Sequence, residues 1–273
     1  MSTLNFNKVS IVESLNDSDQ KTGQQLAHDL ELLEIFHDKG IAVECIQISK
    51  PEELLLHIQS LTNDAECHGI YPVLQIEAHG SEDKKSLVLT DGSIRWDELE
   101  PYFRELNLAT KCNLLIVMAT CFGIHSSSII SLLDRAPFWG VIGPEYKISS
   151  PVILSSLTKL YTALYTEQNL LDALKLSPDE AELKFITCEW FFVSAYKYYV
   201  NNLCNDQALR LRAKSFKKQL RLQGASKLPS DDEIINAFKP NGKEEFQSWL
   251  HSFFMIDLFP ENINKISINY EKI

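Results

Sequence analysis

The hydrophobic pattern switches between two periods along the chain. Val9 to Leu15 is a short β-rich run. Thr22 to Lys39 then carries Leu26, Leu30, Leu33 and Phe36 at helical spacing, with Gly40 as a helix stop. Ile41 to Ile48 reads as a second strand, and Pro51 opens a helix bearing Leu54, Leu55, Ile58 and Leu61. Tyr71 to Ala78 reads as a third strand. Ser86 to Thr90 and Ser93 to Trp96 flank Asp91-Gly92, a hairpin turn signal, and Asp97 to Leu106 predicts a short helix. Leu114 to Ala119 is almost unbroken in its apolar character, the pattern of a central strand buried on both faces. A helix from His125 to Arg135 and a strand from Trp139 to Ile142 follow, and the remainder from Pro151 is mainly helical. Strand–helix–strand alternation with short connections predicts an α/β fold: a mostly parallel sheet flanked by helices, with a helical C-terminal extension.

Charge narrows the partners. The 273 residues carry 26 Lys plus Arg against 37 Asp plus Glu, a net of −11. Such a surface repels a phosphate backbone, so direct nucleic-acid binding is not expected unless a local patch reverses the sign. One segment does: Gln207 to Pro229 holds seven cations (Arg210, Arg212, Lys214, Lys217, Lys218, Arg221, Lys227) and no acid, which leaves −18 on the rest. Leu209, Ala213, Phe216 and Leu220 share one face, so Gln207 to Arg221 predicts an amphipathic basic helix. Docking onto the chain's own acidic face is its expected use, with nucleic-acid binding as the rival. Gly224 to Glu233 reads as an exposed loop. No apolar run reaches the ~20 residues that a membrane span needs. Met1 to Ser10 lack the basic lead and apolar core of a secretory signal, and the six cysteines (Cys45, Cys67, Cys112, Cys121, Cys188, Cys204) show no CxxC spacing. The expectation is a cytoplasmic protein with reduced thiols and no membrane partner.

Two strand ends carry the chemical signal. The third strand closes in Ala78-His79-Gly80-Ser81, and the apolar run closes in Ala119-Thr120-Cys121-Phe122-Gly123. In open α/β sheets, reactive groups gather beyond the carboxyl ends of the strands. If these two strands are neighbours, His79 and Cys121 meet there: a thiolate can attack a carbonyl carbon, and an imidazole can take the thiol proton or protonate the leaving amine. Gly80 leaves a backbone N–H unshielded, the Cys121 N–H is a second oxyanion donor, and Gly123 permits the sharp turn that presents the thiol at a helix N-terminus. The alternative is a Cys packed as a small core hydrophobe and a satisfied surface His. Other candidates are weaker. His125 is expected to cap or line the cleft entrance. Cys67-His68 has no matching partner pair for zinc. Trp190-Phe191-Phe192 with Tyr196, Tyr198 and Tyr199 reads as packing. GxSxG, GxxxxGK[ST] and GxGxxG are missing. Glu77, two residues before His79, together with Asp91 and Glu145, are candidates for an acidic substrate pocket; the alternative is a structural hydrogen bond for Glu77 and solvated loop charges for the other two.

Several stretches together resemble the caspase-like (clan CD) cysteine peptidases, and within them the CHAT group: Val73 to Gly80, Leu87 to Gly92, Trp96 to Leu99, Asn113 to Cys121, Gly140 to Gly143, Leu160 to Leu164 and Leu171 to Leu174. The caspase Gln-Ala-Cys-x-Gly run is met in part by Ala119-Thr120-Cys121-Phe122-Gly123, with a bulky Phe122 where CHAT proteins often carry a small residue. The resemblance covers roughly residues 5 to 200 and implies a peptidase domain over 1–200, with a helical extension over 201–273 packed on it. It implies His79 as general acid/base, Cys121 as nucleophile, and Gly80 and Cys121 as oxyanion-hole amides. It also implies a protein substrate, no metal or organic cofactor, and a regulatory protein partner in a defence or programmed-death system. The rival from another class is a catalytically silent caspase-like interaction module.

Overall fold

The structure, a computed structural model, describes residues 4–167, 183–239 and 242–272. The strands in chain order are β1 (Lys8–Glu13), β2 (Ala42–Gln47), β3 (Pro72–Glu77), β4 (His79–Gly80), β5 (Ser86–Leu89), β6 (Gly92–Arg95), β7 (Leu115–Ala119), β8 (Gly140–Pro144) and β9 (Leu183–Thr187). Six of them form one sheet in the order β2-β1-β3-β7-β8-β9, parallel throughout except for β9, while β4, β5 and β6 form a small antiparallel sheet. The helices are α1 (Thr22–His37), α2 (Pro51–His68), α3 (Trp96–Ala109), α4 (Ser150–Glu167), α5 (Cys188–Tyr198), α6 (Asp206–Leu222), α7 (Asp231–Phe238) and α8 (Gly242–Phe253). This is the mostly parallel sheet with flanking helices and a helical C-terminal segment that the alternation predicts.

The sheet is covered on both faces, which is why β7 reads as an unbroken apolar run. Its side chains alternate: Leu115, Val117 and Ala119 pack with Leu26 and Leu30 of α1 and Leu157, Leu160 and Tyr161 of α4. Ile116 and Met118 pack on the other side with Leu54 and Ile58 of α2, Leu99 and Phe103 of α3, and Phe192 of α5. Phe246, Leu250 and Phe253 of α8 belong to that second cluster, so chain beyond residue 200 completes the core of the sheet's own layer. No helix among the described residues is long and apolar enough to cross a membrane.

The differences from the sequence reading have local causes. The helix expected from His125 to Arg135 is a 3₁₀ helix, Gly123–Ile129. Three serines stand there, and Ser126 Oγ bonds back to the Gly123 carbonyl at 2.8 Å, competing with α-helical hydrogen bonding. β9 lies in the stretch expected to be mainly helical; its five residues give no clear period, and pairing with β8 holds them as a strand. The supposed loop ends early, because Ser230 and Glu233 form a reciprocal capping box that starts α7. The basic helix spans Asp206 to Leu222 as α6 and buries Leu209 and Ala213. Two of its cations are engaged within the C-terminal segment: Lys217 Nζ lies 2.5 Å from Asp231, and the Arg212 guanidinium stacks 4.7 Å from the Phe238 ring. The stretch Leu171 to Leu174 lies outside the described residues.

Phe192 joins the sheet layer to the C-terminal helices, with ring centroids 5.5, 5.4 and 5.5 Å from Phe246, Phe253 and Phe254. Phe192→Ala is expected to destabilise the chain by roughly 3–5 kcal/mol, because the cavity is shared by elements that cannot all relax into it. Equilibrium urea unfolding checks this; a change below about 1 kcal/mol would show that the C-terminal layer is not part of the cooperative core.

Candidate active site

The β3–β7 register sets Glu77 opposite Ala119, so the carboxyl ends of the two strands lie side by side. The chain then leaves the large sheet. His79 and Gly80 form β4 and pair antiparallel with Val88 and Leu87 of β5. Two residues apart on one strand would share a face, but the change of sheet separates them: Glu77 turns inward at 1% exposure, and the His79 side chain turns outward at 51%. β4 lies directly on the thiol-bearing turn. A Cβ built on Gly80 would fall 1.8 Å from the Cys121 carbonyl oxygen and 3.1 Å from Thr120 Oγ1, so only glycine permits this contact. The Ser81 N–H donates to the Ser86 carbonyl at 3.1 Å. By the alternation of antiparallel ladders, Gly80 therefore occupies a non-hydrogen-bonded position, and its N–H points away from β5.

Cys121 sits at the apex of a tight turn closed by the Gly123 N–H on the Thr120 carbonyl at 3.0 Å. The left-handed residue of this turn is Phe122, at φ 62°, and not Gly123, the residue expected to permit the turn. A bulky residue at this φ costs on the order of 1–3 kcal/mol and is found where the surroundings over-determine it. Here the Phe122 N–H donates to the Tyr146 carbonyl at 3.3 Å, and the Lys84 ammonium stands 5.2 Å from its ring. Gly123 is needed for another reason: a Cβ there would lie 2.6 Å from Met118 Cβ. The helix that follows is only the short 3₁₀ segment, so it provides little macrodipole for a thiolate.

The loop after β8 closes over the thiol. The Ile148 N–H points at Cys121 Sγ from 3.5 Å, and the thiol donates to the Ile148 carbonyl at 3.7 Å. The neighbouring Lys147 is paired with Glu82, in the loop after β4, at 2.5 Å, and this pairing raises the lysine's pKa. The two loops that flank Cys121 are thereby joined. Three other thiols are unsuited to nucleophilic chemistry: burial pushes Cys45 and Cys112 up to about 11 and raises Cys188 well above the ordinary thiol range.

His79 has a partner that the sequence reading missed. Its Nε2 lies 3.0 Å from Asp19 Oδ2, in the loop that follows β1. The hydrogen bond from His79 is the largest influence on Asp19 and holds its carboxyl below the usual range. Sequence offered only a polar stretch, Asn16 to Gln20; it is the placing of β1 beside β3 that brings Asp19 to the histidine.

Of the pocket candidates, Glu77 is displaced inward. It accepts hydrogen bonds from Thr22 Oγ1 at 2.8 Å and Gln75 Nε2 at 2.5 Å beneath the start of α1, the structural alternative named for it. Asp91 is at the hairpin tip, where its N–H donates to the Ser49 carbonyl and its carboxylate faces Lys50 at 3.8 Å. The hairpin therefore folds over the β2–α2 corner, on the side of the sheet away from β7. Glu145 begins the loop after β8 whose Ile148 reaches Cys121. His125 donates its backbone N–H to the Phe122 carbonyl and sets its ring 6.5 Å from that residue's. Cys67 is exposed at the end of α2, and His68 faces Asp64 one turn away. A Ser–His–acid cluster occurs elsewhere: Ser10 Oγ lies 2.8 Å from His57 Nε2 and 2.6 Å from Glu44 Oε1. Ser10 is fully buried in the middle of β1, so this network fastens α2 to the sheet and cannot meet a substrate.

No family model and no curated protein sequence matches the chain. Among solved structures it is similar to the crystal structure of caspase-1 from Spodoptera frugiperda, at 15% sequence identity and a TM-score of 0.42, over 68% of this chain and 88% of that one.

Glu77 generates a pH prediction. Burial raises it from 4.5 to about 7, so the folded chain keeps a proton that the unfolded chain releases above about 4.5. Its contribution to stability is complete below that pH and is lost as pH rises to about 7. Glu77→Gln should therefore gain in Tm relative to the wild type between about pH 5 and pH 7.5. Thermal unfolding at several pH values checks this, and parallel Tm curves for the two proteins would refute it.

Proposed function

We propose that this chain is a caspase-like, CHAT-type cysteine endopeptidase that cleaves a protein substrate with Cys121 as nucleophile and His79 as general acid/base. One observation carries the reading: the His79-Gly80 strand lies in contact with the Cys121 turn, across two neighbouring parallel strands, and through a position only glycine can occupy. The thiol proton passes to the His79 imidazole, and the thiolate adds to the scissile carbonyl carbon. The imidazolium protonates the departing amine as the C–N bond breaks, and water then hydrolyses the thioester. The Gly80 N–H, which points away from β5, and the Cys121 N–H are suited to the developing oxyanion. Each step uses the chain's own groups and needs no metal or organic cofactor. With Glu77 buried and Asp91 turned to the β2 corner, Glu145 is the remaining acidic candidate for the pocket, where it would favour Arg or Lys at the cleaved position.

A thiol-reactive peptide probe and a mixed-residue peptide library test this. Label should fall on Cys121, and Cys121→Ala and His79→Ala should each abolish cleavage while leaving Tm within a few degrees of wild type. Cleavage at the wild-type rate by either variant would sink the dyad. Folded protein with neither labelling nor turnover, alone or with material copurified from its host, would establish the silent interaction module instead.

The resting chain is restrained, in this reading, until a regulatory partner acts, as the CHAT resemblance suggests for a cytoplasmic defence or programmed-death system. The support is the Ile148 main chain on the thiol and the Lys147–Glu82 tie beside it. Glu82→Gln and Lys147→Met should each speed alkylation of Cys121 by iodoacetamide, about two- to fivefold for so exposed a pair. Unchanged alkylation in both would remove the tie as a restraint.

A further inference from the structure

We propose that Asp19 is a positioning residue for His79: it fixes the imidazole as the Nε2–H tautomer and leaves Nδ1 as the nitrogen that exchanges protons. This rests on the peptidase reading for its reaction, but its geometry stands alone. Asp19 Oδ2 lies 3.0 Å from His79 Nε2. The same oxygen accepts the Asn16 backbone N–H at 2.9 Å and Asn16 Nδ2 at 3.1 Å, and the Asp19 N–H returns to the Asn16 carbonyl at 3.0 Å. Lys21 Nζ ties the same loop through the carbonyls of Leu15 and Asn16, at 2.5 and 2.9 Å. The carboxylate is thus held by its own loop and does not depend on the histidine for its place.

The tautomer follows from hydrogen-bond inventory. The Asp19 carboxyl lies below the ordinary carboxylate range, so near neutral pH it is ionised and can only accept. A nitrogen 3.0 Å from it must carry the hydrogen, which in a neutral imidazole leaves the lone pair on the other nitrogen. When Nδ1 takes the thiol proton, the ring becomes a cation beside a fixed anion. Asp19 stabilises it without receiving the proton, and the Nδ1 proton goes on to the leaving amine.

The contact is partly open to solvent, with side-chain exposures of 51% for His79 and 27% for Asp19, so an inert surface ion pair is the rival. Two readouts on the full chain separate them. In uniformly ¹⁵N-histidine-labelled protein at about pH 8, with His79 assigned by its loss in His79→Gln, long-range ¹H–¹⁵N spectra should show Nε2 protonated and Nδ1 bare. Asp19→Ala should mix the two tautomers and lower kcat about 10- to 100-fold with KM little changed, by analogy with the loss of a residue that orients a metal-ligating histidine. Asp19→Asn keeps an acceptor for Asn16 and His79; it should hold the tautomer and recover part of kcat, which guards against simple collapse of the loop. An unchanged His79 spectrum or unchanged kcat in Asp19→Ala would overturn the proposal, as would an Asp19→Asn variant no better than Asp19→Ala. Should the wild type neither label at Cys121 nor turn over peptide, alone or with material copurified from its host, the peptidase reading falls, while the spectra still decide whether Asp19 sets the tautomer.

Discussion

The contact between the Gly80 backbone and the Cys121 carbonyl is the constraint on which the rest of the site depends. Two sheets meet at this point: β3 and β7 end side by side in the large one, and β4 starts the small one across their ends. The approach is closer than any side chain at position 80 would allow. It fixes where the histidine stands and which way the thiol turn must face. The strained Phe122 is a consequence, because the chain has to reverse at once after Cys121 while Gly123 packs against Met118.

Electrostatics at this edge of the sheet is sorted by depth. Glu77 and Glu13 are buried below the start of α1, where Thr22, Gln75, Gln47 and the first N–H groups of the helix saturate them. Such carboxylates organise structure and cannot recognise a substrate. Asp19, a few residues beyond Glu13, reaches the surface and is held ionised beside His79. Acids close together in sequence and space thus differ in role because one lies under a helix and the other on a loop. The thiols divide in the same manner, with Cys112 and Cys188 inert in the core and Cys121 at a strand end.

The elements beyond residue 200 contribute to the layer that supports this edge. Phe192 and Tyr196 of α5 interlock with Phe246 and Phe253 of α8, against the face of the sheet that carries Met118. Packing of this density holds strand ends in register while the loops that cover them stay on the surface. The Ile148 contact with the thiol and the Lys147–Glu82 pair belong to that outer, weaker layer. The site thus has a rigid floor and a lightly tied cover.

Sequence alone determined the alternation of strands and helices, the doubly buried β7, the hairpin at Asp91-Gly92, the amphipathic basic helix and the two strand ends that carry His79 and Cys121. These are local properties: hydrophobic period, turn chemistry and the position of a polar residue after an apolar run are written in consecutive residues. Only the tertiary structure decided that β3 neighbours β7, that β4 leaves the sheet and so separates Glu77 from His79, and that Asp91 faces the β2–α2 corner. It alone brought Asp19 to His79, across 60 residues, and Ile148 to Cys121, across 27. Sheet order and loop approach arise from which surfaces bury each other, and no window along one chain encodes that choice.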